Sequence, residues 1–145
     1  MNIEFNASHS GHVALISLAM RRRLGVDVQM VDAAARMDDI SRRFFSAQEH
    51  ESIRGLPQKV KTAAFYSCWT RKEAAIKAFG GSIALLYDKI SISTLPHGPA
   101  RILKMPPNRE ENGWHIQDLP AGEGYAAALC YEGPPARVFL WQPDE

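Results

Sequence analysis

Apolar positions change their spacing twice along this 145-residue chain, and the changes divide it into three stretches. In the first, residues 13–18 (VALISL) read as a buried strand, and Gly25-Val26-Asp27-Val28-Gln29 alternates. That alternation puts Val26 and Val28 on one face, Asp27 and Gln29 on the other. Arg21, Arg22 and Arg23 between the two strands read as a solvated hairpin tip. The second stretch is helical. Asp38 or Asp39 can cap a short helix ending near Phe45, Ser46-Ala47-Gln48-Glu49 has the form of a capping box, and Gly55-Leu56-Pro57 closes the helix it opens. A long helix from about Gln58 to Phe79 then stops at Gly80-Gly81. The third stretch returns to strands at residues 89–95, 101–105, 114–117, 125–131 and 137–141, divided by Pro, Gly and Asn turns, with 105–113 as the mobile loop. Helices flanked by short antiparallel strands predict an α+β fold, an antiparallel sheet packed against helices, in a single domain over residues 1–145.

Composition narrows the partners. The chain is 46% hydrophobic and 23% charged, enough apolar material for a core. A net charge of +1 gives no general argument for nucleic acid. No apolar run approaches membrane-spanning length, the start lacks a signal-peptide pattern, and Cys68 and Cys130 form no disulfide framework, so a reduced cytoplasmic protein is expected. His97 and His115 have no acidic or cysteine partners at metal-ligand spacing.

The candidate chemistry sits on one stripe of the long helix. Residues four apart share a helical face, so Phe65, Trp69, Glu73 and Lys77 form a row. An apolar row ending in a carboxylate and an amine marks the mouth of a cleft, charges that need a buried partner, or an exposed ion pair worth about 0.2–0.5 kcal/mol. Asp27 poses a similar choice, because Asp is depleted in strands. It is either a solvated edge residue or, with Glu73, one of the two carboxylates that Mg²⁺ commonly takes beside phosphate oxygens. Phe5-Asn6-Ala7-Ser8-His9-Ser10-Gly11 reads as a loop entering the next strand, its donors suited to phosphate or to an ordinary polar turn.

Taken in order, FNASHS, GVDV, RRFFSAQE and FYSCWTRKEAAIKAFG resemble the motifs of the 4′-phosphopantetheinyl transferases, of the surfactin-synthetase (Sfp) type. The resemblance runs from Phe5 to about Cys130 and implies transfer of the 4′-phosphopantetheine arm of coenzyme A to a serine of an apo acyl or peptidyl carrier protein, as in fatty acid, polyketide and nonribosomal peptide biosynthesis. It implies Mg²⁺ held by Asp27 and Glu73, with Glu73 also the base for the serine hydroxyl. It further implies Lys77 at the leaving phosphate, Lys72 at a phosphate, and Ser8 and His9 contacting the phosphates of coenzyme A. The chain departs from the pattern at Gln29, where the family often has a second acid; the amide oxygen can still ligate Mg²⁺ or hold a metal-bound water. The family's Sfp type is a pseudo-dimer of two similar halves, and this chain resembles the second. Two assemblies are therefore expected: a homo-oligomer, most simply a dimer with Ser8 and His9 near the interface, or a half-enzyme that depends on a partner or only binds Mg-nucleotide or a carrier protein.

Overall fold

The computed structural model describes residues 2–80, 87–106 and 113–144. The strands are β1 (Ile3–Ser10), β2 (Val13–Met20), β3 (Leu24–Met30), β4 (Ser91–Ile92), β5 (Ile102–Lys104), β6 (Trp114–Asp118) and β7 (Tyr125–Glu132). The helices are α1 (Met37–Phe44), α2 (Ala47–Arg54) and α3 (Gln58–Phe79). All strand pairs are antiparallel: a β1–β2 hairpin, a three-stranded sheet in the order β3-β7-β6, and the short pair β4–β5. The expected α+β architecture is therefore present.

Helix α3 organises the molecule. Its first turns are exposed, but from Ala64 onward almost every side chain is buried, because the helix is packed on more than one side. One core joins Ala74, Ala75, Ile76, Ala78 and Phe79 to Ile90, Ile92, Ala128 and Cys130. A second joins Ala64, Phe65, Tyr66 and Cys68 to Phe45 and Ile53. Beyond the sheet a third cluster holds Leu24, Val26, Leu129 and Tyr131. The helix ends where Gly80 takes the left-handed conformation at φ +70°, where a β-carbon is unfavourable. The capping box at Ser46 is also present: the Ser46 hydroxyl accepts from the Glu49 N–H while the Glu49 carboxylate accepts from the Ser46 N–H.

Several local expectations change. The FNASHS segment is not a loop but the body of β1, and the β1–β2 turn is at Gly11 and His12. Arg21, Arg22 and Arg23 are not a hairpin tip. They lead from the hairpin to β3, which pairs with β7 instead of β2. Arg22 and Arg23 are engaged there, Arg22 donating to the Pro134 carbonyl at 2.6 Å and Arg23 pairing with Glu132 at 3.1 Å. The α1 N-cap is Arg36, and Asp38 and Asp39 lie in the first turn, where their charge complements the positive end of the helix dipole and pairs with Arg42. The strand expected at 89–95 shortens to β4 behind a 3-10 turn at Tyr87–Lys89. Residues 137–141 form no ladder: Val138 packs on the third cluster while Phe139, Leu140 and Trp141 are exposed. Gly81 and most of the loop expected at 105–113 lie outside the described residues; Met105 and Pro106, at its start, are buried.

Candidate active site

Three consecutive charged residues of α3 enter the interior: Arg71, Lys72 and Glu73. Each such charge needs compensation, since an unpaired ion costs several kcal/mol to bury. Arg71 places two parallel donors on the Asp118 carboxylate at 2.8 and 2.6 Å and a third on the Ser93 carbonyl at 2.7 Å. Lys72 donates to Glu49 at 2.5 Å and to the Ile90 carbonyl at 2.7 Å. Both side chains of that pair are fully buried. This placement corrects the expectation for Lys72. Its ammonium is sealed between α2 and β4, so it ties elements together and does not reach a phosphate. Glu49 completes the tie by accepting from the Ile92 N–H at 2.7 Å. Glu73 belongs to neither bridge, nor to any other ion pair among the described residues.

What faces Glu73 is set by a glycine. A β-carbon on Gly25 would lie 2.6 Å from the Ala78 nitrogen and 2.8 Å from the Lys77 β-carbon, and would collide with the Ala74 carbonyl. Only a residue without a side chain lets β3 approach α3 this closely. Asp27 follows two residues later and so points to the same face as Gly25. The residue is 3% exposed. Lys77 crosses the contact, donating to the Val26 carbonyl at 3.0 Å and to Asp27 Oδ1 at 3.4 Å. Two residues 46 positions apart, Asp27 and Glu73, are thereby brought into one electrostatic neighbourhood with Lys77. The rest of the row forms an aromatic wall: Trp69 stacks on Tyr66 and meets Phe65 edge-on.

Strand β1 lies beside the free edge of β3 and is joined to it by side chains. Asn6, Ser8 and Ser10 accept in turn from the Val26, Val28 and Met30 N–H groups at 2.9, 3.1 and 2.8 Å. These alternate side chains take the place of a neighbouring strand, closing an edge that would otherwise present unpaired donors. Ser8 also donates to Asp27 Oδ1 at 3.1 Å, so it reaches the site. His9 does not. It points to the outer face of the hairpin, with Phe5 and Ala7, and is exposed. Gln29 turns its amide nitrogen to Asp27 Oδ2 at 3.0 Å. Sequence reasoning missed this ladder, although its signal is visible as polar residues at positions 6, 8 and 10.

The electrostatics of the pair follow from burial. Glu73 is raised from 4.5 to about 7, first by desolvation and then by the Asp27 charge, against the opposing pull of Lys77 and Trp69. Asp27 is also raised by desolvation, with Gln29, Lys77 and Ser8 acting in the other direction. Two such acids gain from a cation between them. No group of three or more His, Cys, Asp or Glu gathers among the described residues. Two carboxylates nevertheless fit Mg²⁺, a hard cation that takes oxygen ligands and usually completes its shell with water and phosphate.

The profile of the 4′-phosphopantetheinyl transferase superfamily matches residues 23–130, most of the chain. The chain belongs to this superfamily. It is similar to the 4′-phosphopantetheinyl transferase HetI of Nostoc sp., 33% identical over 96% of this chain and 54% of that protein. It is also similar to the 4′-phosphopantetheinyl transferase Sfp of Bacillus subtilis, 27% identical over 90% of this chain and 55% of that one. The transferase-like chain thus spans about half the length of these relatives. Its fold matches a holo-(acyl-carrier-protein) synthase from Bacillus anthracis solved in complex with CoA (3′,5′-ADP), with a TM-score of 0.60 over 77% of this chain and 96% of that one at 19% identity.

Proposed function

We propose that the chain transfers the 4′-phosphopantetheine arm of coenzyme A to a serine of an apo acyl or peptidyl carrier protein, in a Mg²⁺-dependent reaction. The observation that carries this reading is the meeting of Asp27 and Lys77 across the Gly25 contact, with Glu73 in their electrostatic neighbourhood, in a chain of this superfamily. Asp27 and Glu73 would hold the cation, which when bound neutralises charge on the diphosphate oxygens and orients them. Glu73 takes the serine proton, a task open to a carboxylate beside the reacting hydroxyl. The serine oxygen then bonds to the phosphorus of the arm. The bond from that phosphorus to the oxygen shared with the adenosine-bearing phosphate breaks, and adenosine 3′,5′-bisphosphate leaves with the electron pair. Lys77 has three donors and uses two within the protein, leaving one for the charge developing on the leaving phosphate.

A second reading concerns assembly. The outer face of the hairpin carries Ile3, Phe5, Ile16, Leu18 and Met20, with Phe5 71% and Leu18 69% exposed. Phe5 pairs with Leu18 and Ile3 with Met20 across the register, so these side chains form one patch. A contiguous apolar patch of this kind is a docking surface. With relatives about twice as long, it supports a homodimer sharing the coenzyme A site, or dependence on a partner half; His9, on the same face, would meet coenzyme A only in such an assembly. No helix of the described residues is long and apolar enough to cross a membrane, and both cysteines are free and buried. These facts accord with action in the cytoplasm.

The test is to mix the purified chain with coenzyme A, Mg²⁺ and an apo-carrier protein, weigh the carrier by mass spectrometry, and size the chain by light scattering. A modified carrier and a dimer are expected. A dimer that leaves the carrier unmodified would defeat the catalytic reading, and a monomer that modifies it would defeat the assembly reading.

A further inference from the structure

We propose that Ser8 is a positioning residue that orients the Asp27 carboxylate for the cation. The inference deepens the proposed function and rests on its assignment of Asp27 as a metal ligand. A serine hydroxyl has one proton to give and two lone pairs. The Ser8 proton goes to Asp27 Oδ1 at 3.1 Å, and a lone pair accepts the Val28 N–H at 3.1 Å. The hydroxyl thus links the β3 backbone to the Asp27 carboxylate.

The bonds around Asp27 show what the orientation accomplishes. Oδ1 takes Ser8 Oγ and Lys77 Nζ, at 3.1 and 3.4 Å. Oδ2 takes only the Gln29 amide, at 3.0 Å. A carboxylate oxygen has about two acceptor positions. Oδ1 is therefore filled, and the open position is the second one on Oδ2. Ser8 fixes which oxygen is free, and the Val28 N–H fixes Ser8. Outer partners of metal-binding carboxylates commonly act this way, holding the ligand so that no orientational freedom is lost on binding.

Ser10 provides an internal control. It accepts from the Met30 N–H at 2.8 Å in the same ladder. Its recorded bond is the structural half of what Ser8 does, without the contact to Asp27.

The experiment titrates the metal-free chain with Mg²⁺ by isothermal calorimetry, with Mn²⁺ and electron paramagnetic resonance as a second readout, neither requiring turnover. The variants are Ser8→Ala, Ser8→Cys, Ser8→Thr, Ser10→Ala and Asp27→Asn. Losing an outer-shell partner typically weakens metal affinity about 10–100-fold, and the lower end is expected for Ser8→Ala. Ser8→Cys keeps the size but has only a weak donor, so it should fold and still bind more weakly than the parent. Ser8→Thr, which keeps the hydroxyl, should restore the parent affinity, and Ser10→Ala should leave it unchanged while lowering the melting temperature. Unaltered affinity in both Ser8→Ala and Ser8→Cys, with Asp27→Asn no longer binding, would overturn the role of Ser8 alone. So would an equal loss in Ser10→Ala. A parent that binds neither ion, or an Asp27→Asn variant that binds as the parent does, would overturn the metal site itself and this inference with it.

Discussion

Glu73→Gln replaces a buried carboxyl by a neutral group of the same shape. Glu73 is 9% exposed and titrates near 7 when folded, against an ordinary 4.5, because burial and then the Asp27 charge disfavour its ionised form. Between those two values the folded chain holds a proton that the unfolded chain has released. Stability therefore falls as pH rises from about 4.5 to about 7, and stays at the lower level above. At about 1.36 kcal/mol for each tenfold change in proton affinity, ionised Glu73 costs the metal-free protein up to about 3 kcal/mol at pH 8. Glutamine avoids that cost. Relaxation of the site takes part of the gain, so the variant should be more stable than the parent by about 1–3 kcal/mol at pH 8, with the difference shrinking toward zero near pH 4.5. Urea unfolding followed by tryptophan fluorescence in the presence of a chelator, at matched pH for both proteins, measures it. Transfer activity should be lost at the same time, because the proposed proton acceptor and cation ligand is gone. With Mg²⁺ added the difference should shrink or reverse, since the parent, with both carboxylates, gains more by binding. A variant that is less stable at pH 8 without metal, or one whose difference from the parent does not change with pH, would refute this account of Glu73.

Gly25→Ala should separate β3 from α3, costing about 1–3 kcal/mol from overpacking, and should weaken Mg²⁺ binding more than an equally destabilising core change elsewhere, as calorimetry on both would show. Lys72→Met leaves Glu49 buried without its counter-charge and should cost about 3–5 kcal/mol in urea unfolding; a stable variant with only a raised KM for coenzyme A would instead restore a phosphate role to Lys72. Gln29→Glu places a second acid beside Asp27 and should lower the Mg²⁺ midpoint while destabilising the metal-free chain, and an unchanged midpoint would mean that position 29 does not face the cation.

The parts of this structure legible in the sequence were those governed by local rules. The limits of α3 follow from Pro57 before it and Gly80 after it, and the box at Ser46 and Glu49 needs residues only three apart. The row Phe65, Trp69, Glu73, Lys77 needs only helical periodicity. What stayed hidden depends on partners far along the chain. β3 pairs with β7 about a hundred residues later, so nothing near Arg21, Arg22 and Arg23 shows that the chain is leaving one sheet for another. Asn and Ser favour turns when read locally. In β1 they are strand residues because Val26, Val28 and Met30, each twenty positions on, present donors to them. Lys72 lies off the Glu73 row, and only the packing of α2 and β4 shows that its side of the helix faces inward. Residues 137–141, rich in the apolar and aromatic side chains that favour strands, form no ladder with a neighbouring strand.

The proposed function requires that Asp27 and Glu73 serve one cation. Crystals of the chain soaked with Mn²⁺ in place of Mg²⁺ test it most directly, through the anomalous signal of the metal. A peak touching a carboxylate oxygen of each residue is expected, at about the 2.0–2.1 Å of Mg²⁺–oxygen bonds or slightly longer. A fully occupied peak elsewhere, or one bound to a single member of the pair with the other turned away, would contradict it.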